Sequence, residues 1–145
     1  MKSKKLLLDG KNLTVQKIAE LTQNNKLKVG LEQKSIEFAN KTRKFVESAA
    51  KENSKITYGI NTGFGPMASY ILPPNSLIEL QYNLVHSHAV GMGQKLPDEF
   101  VLAAMTVRLN TLLKGYSGVS AELLQHLEKY INLRILPIVP EHGAV

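Results

Sequence analysis

Apolar residues recur along this chain in two rhythms, and each rhythm predicts an element. Leu6 to Leu8, the Asp9-Gly10 turn and Leu13 to Val15 predict a small β-hairpin over 1–15. Thr14 is placed to cap a helix carrying Ile18, Ala19 and Leu21, which fades in the polar run Thr22-Gln23-Asn24-Asn25. A longer amphipathic helix over roughly 31–50 turns Ile36, Ala39, Phe45, Val46 and Ala49 toward a core. Lys55 to Tyr58 reads as a short extended entry to a glycine-rich loop that runs to Pro73-Pro74.

From there the pattern predicts a helical-bundle segment over 75–132. Asn75 or Ser76 caps a helix in which Leu77, Leu80, Leu84 and His88 recur at three- and four-residue spacing, ended by Gly91-Met92-Gly93. Pro97-Asp98 starts the next helix, apolar nearly all round through Val101, Ala104, Met105, Val107, Leu109, Leu112 and Leu113. Gly115-Tyr116-Ser117-Gly118 breaks it, and a further helix carries Leu123, Leu124, Leu127 and Tyr130. The run from Ile135 to Val145 is extended, proline-stiffened and apolar, a segment that normally feeds into further core. The expected fold is mainly α, with the small hairpin, loose loops around 59–74 and the look of a piece of something larger.

Composition narrows the partners. The 145 residues are 43% apolar, ordinary for a soluble globular protein. No apolar run approaches the ~20 residues that cross a bilayer. The three leucines before Asp9 are too short for a signal peptide. With no cysteine, disulfides and thiolate metal sites are excluded, which is compatible with the cytoplasm. The net charge of +6 is interleaved with Glu20, Glu32, Glu37, Glu47 and Glu52. Solvated helix faces look like this, whereas a phosphate-binding stripe needs clustered cations, so neither nucleic acid nor membrane is expected as a partner.

The chemistry concentrates in Thr57-Tyr58-Gly59-Ile60-Asn61-Thr62-Gly63-Phe64-Gly65, where three of nine residues are glycine. Such a stretch sets a tyrosine where backbone passes close to a ligand, and a phenol so held can exchange a proton with a substrate. Its bland reading is a glycine-rich turn with a tyrosine packed under it. Gly63 and Gly65 are expected to give the loop mobility, with Phe64 as apolar anchor and Asn61 and Thr62 as turn formers. His86 and His88 lie two apart on a helix, so they face different directions and cannot chelate one ion; no metal is expected. Arg108, among apolar neighbours, reads as a buried pairing or a subunit contact, and His142 as a loop residue or one lining the site.

Five collinear motifs carry a family resemblance. Tyr58-Gly59-Ile60-Asn61-Thr62-Gly63-Phe64-Gly65 comes first, then Leu80-Gln81-Tyr82-Asn83-Leu84 with Ser87-His88-Ala89-Val90-Gly91-Met92-Gly93. Arg108-Leu109-Asn110, Lys114-Gly115-Tyr116-Ser117-Gly118-Val119 and Pro140-Glu141-His142-Gly143-Ala144-Val145 follow in order. Together they resemble the aromatic amino-acid ammonia-lyases and the related aminomutases. The resemblance implies an electrophilic 4-methylidene-imidazol-5-one group (MIO), cyclised from an Ala/Thr-Ser-Gly tripeptide. It implies loss of ammonia from an aromatic amino acid to give an α,β-unsaturated acid, and a homotetramer with shared active sites.

By the same resemblance Tyr58 is the catalytic base on an active-site loop of Gly59, Gly63, Phe64 and Gly65. A free phenol is a weak acid, so nearby positive charge or helix N-termini would have to favour its ionised form. Ser87 and His88 occupy the position that selects the substrate ring. An imidazole there pairs with another imidazole or a phenol and is left unpaired by phenylalanine, so histidine or tyrosine is the expected substrate. The MIO-forming tripeptide would follow Val145, so this chain is expected to be an N-terminal portion ending before it, inactive alone. The alternatives are a tyrosine ammonia-lyase or aminomutase of the same family, or a non-catalytic helical association module.

Overall fold

Strand β1 (Lys5–Leu8) does not turn back on itself but runs parallel to β2 (Lys28–Leu31), with Lys5 opposite Lys28 and Leu8 opposite Leu31. Helix α1 (Val15–Gln23) makes the crossover that a parallel pair requires. In this computed structural model residues 5–52 and 56–143 are described. The hairpin expected over 1–15 is therefore corrected over its described residues; residues 1–4 of it lie outside them.

The cause is local. The Asp9 carboxylate accepts from the amides of Lys11 and Asn12, both at 2.8 Å, and Gly10 N donates to the buried Asn110 Oδ1 at 3.0 Å. This Asx turn leads forward into a helix, where Thr14 Oγ1 accepts from Lys17 N at 3.3 Å as the expected N-cap. The amides of Asn12 and Lys11 hold the Asp9 carboxyl down to about 2, from an ordinary 3.8. A lowered folded-state value contributes stability above the unfolded value, and that stability is lost as pH falls through the folded one. Asp9→Asn is accordingly expected to flatten the dependence of the urea midpoint on pH between 3.8 and about 2. An unchanged slope would remove this turn from the acid response.

The remaining elements are α2 (Gln33–Glu52), a 3-10 turn (Gly65–Met67), α3 (Pro74–His88), β3 (Met92–Lys95), α4 (Asp98–Leu112), α5 (Ala121–Leu133) and β4 (Pro140–His142). The mainly α expectation holds. Two compact units form: unit one comprises residues up to Arg43 with Lys95–Val139, and unit two comprises Lys44–Gln94 with Pro140 onward.

Unit one carries the apolar core. Leu8, Leu21, Val29 and Ala39 meet Leu102, Leu109 and Leu113 around α4, and Leu124 and Ile131 from α5. Asn132 stands in for a further strand, accepting from Val29 N at 2.8 Å and donating to Val29 O at 3.1 Å. Arg134, left-handed at φ 56° after α5, donates through Nη2 to Leu21 O at 2.8 Å and so closes the end of α1. Helix α4 starts at Asp98 as expected, yet Phe100 and Val107 on it are exposed. Arg108 is exposed too, so the expected buried pairing is corrected.

Unit two departs from expectation at the ends of α3. The helix begins at Pro74 behind Pro73, not on an Asn75 or Ser76 cap, because proline's fixed φ suits a first helical turn. It stops at His88, and Gly91-Met92-Gly93 is not its terminator. Met92–Lys95 instead pairs with Pro140–His142. A Cβ on Gly91 would lie 2.6 Å from Pro140 Cγ, so the glycine admits the neighbouring strand.

Candidate active site

The glycine loop of unit two is pinned by two polar residues, Asn61 and Thr62, both 0% exposed. Asn61 Oδ1 accepts from Thr57 N at 2.8 Å, and Thr62 Oγ1 accepts from Gly59 N at 3.2 Å while donating to Gly63 O at 2.9 Å. Backbone joins them to the outgoing chain: Leu72 N donates to Asn61 O at 3.0 Å and Gly63 N to Tyr70 O at 3.3 Å. Their side chains thus satisfy the donors that a tight loop would otherwise bury unpaired. The loose loop expected around 59–74 is corrected to a cross-braced one. Asn61 and Thr62 are more than turn formers. Lys55, at the head of the expected entry segment, lies outside the described residues.

This bracing sets Tyr58 on the surface. Its ring is 63% exposed and meets Phe64 edge-on, with centroids 5.9 Å apart and planes at 81°. Gly59 sits at φ 73°, a conformation that keeps its side of the turn free of Cβ. Gly63 serves packing within the loop: a Cβ there would lie 2.5 Å from Met67 Cβ and 2.9 Å from Met67 O.

Phe64 also faces a cavity of about 340 Å³ between the loop and α3. Gly63, Met67 and Leu84 line it too, and its polar groups come from Asn83 and Ser87. The volume suits a small ligand, and two polar groups in an apolar wall can orient one. Of the predicted site residues, Gly63, Phe64 and Ser87 meet around this cavity. Tyr58, Gly59, Gly65 and His88 are not among its lining; Tyr58 joins it through Phe64, and His88 through Ser87. Asn83 was missed as a site residue. Its signal was a polar side chain four positions before Ser87 on an otherwise apolar helical stripe.

His88, exposed at the last position of α3, is held by its own helix. Its Nδ1 lies 2.8 Å from Leu84 O and 3.0 Å from Ser87 Oγ, and Ser87 Oγ donates to Leu84 O at 2.9 Å. His86 is exposed, as is His142 on β4. A larger cavity of about 720 Å³ lies in unit one beside Asp9, Lys11, Lys34, Phe38 and Lys114, and no residue of the predicted set lines it.

Comparison with known proteins matches this geometry to a lineage. The family model described as aromatic amino acid lyase matches residues 13–145. Histidine ammonia-lyase of Staphylococcus aureus is 42% identical over 140 residues, covering 97% of this chain and 27% of that protein. Among solved structures, the ergothioneine-degrading ergothionase of Treponema denticola superposes with a TM-score of 0.88 at 32% identity, over 97% of this chain and 28% of that one. Tyrosine aminomutase from Streptomyces globisporus gives 0.83 at 34% identity, over 96% of this chain and 26% of that one. The chain thus spans about a quarter of the length of the relatives it matches.

Proposed function

This chain belongs to the aromatic amino acid lyase family, and we propose that it is the N-terminal portion of an ammonia-lyase that eliminates ammonia from histidine or tyrosine. The observation that carries this reading is the braced turn that presents Tyr58 against Phe64, which itself lines a cavity together with Ser87. In the reaction the Tyr58 oxygen, as the phenolate, would take the β-proton of the bound amino acid and become the phenol. The Cβ–H electron pair forms the double bond while the C–N pair leaves with the nitrogen as ammonia, giving an α,β-unsaturated acid. Phe64 and Leu84 shield the ring from water, Ser87 and Asn83 orient it, and His88 reads its polar edge.

The family's MIO electrophile supplies the activation of the amine, and the residues here do not fit its formation. The one Ser-Gly pair in the 145 residues, Ser117-Gly118, follows Tyr116 where an alanine or threonine is required. The polypeptide of family length is proposed to work as a cytoplasmic homotetramer. Ile78, Tyr82 and Val85 support association, since they expose one apolar stripe of α3. Among the described residues no helix is long and apolar enough to cross a membrane.

A second reading, a tyrosine-active lyase or aminomutase, draws support from the 34% identity to the tyrosine aminomutase structure. One assay separates them. The full-length enzyme is expected to form the unsaturated acid from histidine or tyrosine, and the 145-residue chain alone to form none. A β-amino acid product would favour the aminomutase. Turnover by the short chain would overturn its predicted inactivity, and no turnover by the long one would leave the association module. Exchanging the ring-reading imidazole, His88→Phe, is expected to shift preference toward phenylalanine by about 10- to 100-fold. An unmoved preference would take substrate selection away from His88.

A further inference from the structure

We propose that the cleft of about 720 Å³ in unit one binds a nucleoside diphosphate, its phosphates among the ammonium groups of Lys11, Lys34 and Lys114 and its base on Phe38 and Tyr116. Three segments far apart in sequence build the cleft: the turn after β1, the start of α2 and the end of α4. Buried polar groups fix these segments to one another. Gly10 N donates to Asn110 Oδ1 at 3.0 Å, and the Ser35 hydroxyl lies 3.2 Å from Asp9 O and 2.7 Å from Glu32 Oε2. A Cβ on Gly10 would lie 3.1 Å from Lys114 N, so the first and last segments meet backbone to backbone. Lys11 and Lys114 are thereby brought to one space although about a hundred residues separate them.

The charges of the lining are unevenly met. Asp9 and Glu32 line the cleft too, but donors within it already serve them. Asp9 accepts from the amides of Lys11 and Asn12 and from Asn12 Nδ2, and Glu32 accepts from Ser35. Among the described residues no hydrogen bond or ion pair holds the ammonium group of Lys11, Lys34 or Lys114. Three cations without partners in one concave site attract an anion. Lysine meets phosphate as a point charge, whereas arginine grips a carboxylate with two parallel bonds, and no arginine is among the described residues of the lining. The aromatic surface is open as well. Phe38 rests on the backbone of Gly115, where an added Cβ would lie 2.7 Å from its Cε1, and is still 47% exposed. Tyr116 is 87% exposed, which leaves its ring available to stack on a base. The volume lies in the range of pockets for small organic ligands.

Calorimetric titration of the 145-residue chain with ADP, adenosine and pyrophosphate tests the assignment. ADP is expected to bind saturably. Adenosine and pyrophosphate are each expected to bind at least about 10-fold more weakly, since one lacks the charge and the other the stacking surface. Pyrophosphate binding as tightly as ADP would overturn the nucleotide and leave a bare anion site. Failure to saturate by about 1 mM ADP would overturn the site altogether. The double variant Lys34→Gln, Lys114→Gln is expected to weaken ADP by at least about 10-fold, and Tyr116→Leu by at least about 5-fold. All three positions are exposed, and glutamine keeps the Cγ with which Lys114 packs beside Gly10, so the melting temperature of both variants is expected to match the parent's. Undiminished ADP affinity in the two variants would place the nucleotide elsewhere and overturn the assignment of this cleft.

Discussion

Tyr58→Phe in the full-length enzyme is expected to reduce kcat/KM by about 100- to 10,000-fold, the range for removing a positioned proton acceptor. The change deletes one oxygen and keeps the ring, so the edge-on contact with Phe64 at 5.9 Å survives. Tyr58 is exposed, so the loss leaves no buried group unpaired, and the melting temperature is expected to stay where it was. The predicted signature is a large kinetic loss with an unmoved melting curve and near-unchanged substrate affinity, because the oxygen acts on the β-proton and not on the ring. Full turnover by the phenylalanine variant would remove Tyr58 as the base. A fall in both stability and rate would assign it a structural role.

Local elements were legible in the sequence where one residue's chemistry decides them. Thr14 capped α1, Pro97-Asp98 opened α4, and the Gly115-to-Gly118 break separates α4 from α5. The β1–β2 pairing was not legible. Leu6 to Leu8 alternate as any strand does, and their partner lies beyond α1, so only tertiary contact chooses it. The site divides the same way. Tyr58, Phe64 and Ser87 were named from motifs, and the structure gathers Phe64 and Ser87 at one cavity. Asn61 and Thr62 read as polar turn residues, since side-chain polarity in a sequence points to solvent. Their complete burial arises only when the backbone donors they satisfy are folded around them. His88 was expected on an apolar stripe, but at the last turn of α3 it is exposed and bound to its own helix.

The strongest structural demand on the loop falls on a residue whose side chain is a hydrogen. Gly63→Ala places a methyl 2.5 Å from Met67 Cβ and 2.9 Å from Met67 O. The second contact is backbone, so rotating the Met67 side chain cannot relieve it, and the Gly65–Met67 turn must move. Overpacking of this kind costs about 1–3 kcal/mol. The displaced turn carries Phe64, against which Tyr58 rests. A shift of about 1 Å in a positioned catalytic group lowers turnover by about 100-fold. Gly63→Ala is therefore expected to lower kcat by about 100-fold and to destabilise unit two. Gly65→Ala provides the contrast: nothing lies within 4 Å of its added Cβ, and only the strain of φ 55° is incurred, about 1–2 kcal/mol. Its effect on kcat is expected to be the smaller by at least about 10-fold, the difference between displacing Phe64 and straining one residue. If the two substitutions proved equal in kcat, the close approach at Met67 would not be what holds Tyr58 in place, and the bracing by Asn61 and Thr62 alone would account for the loop.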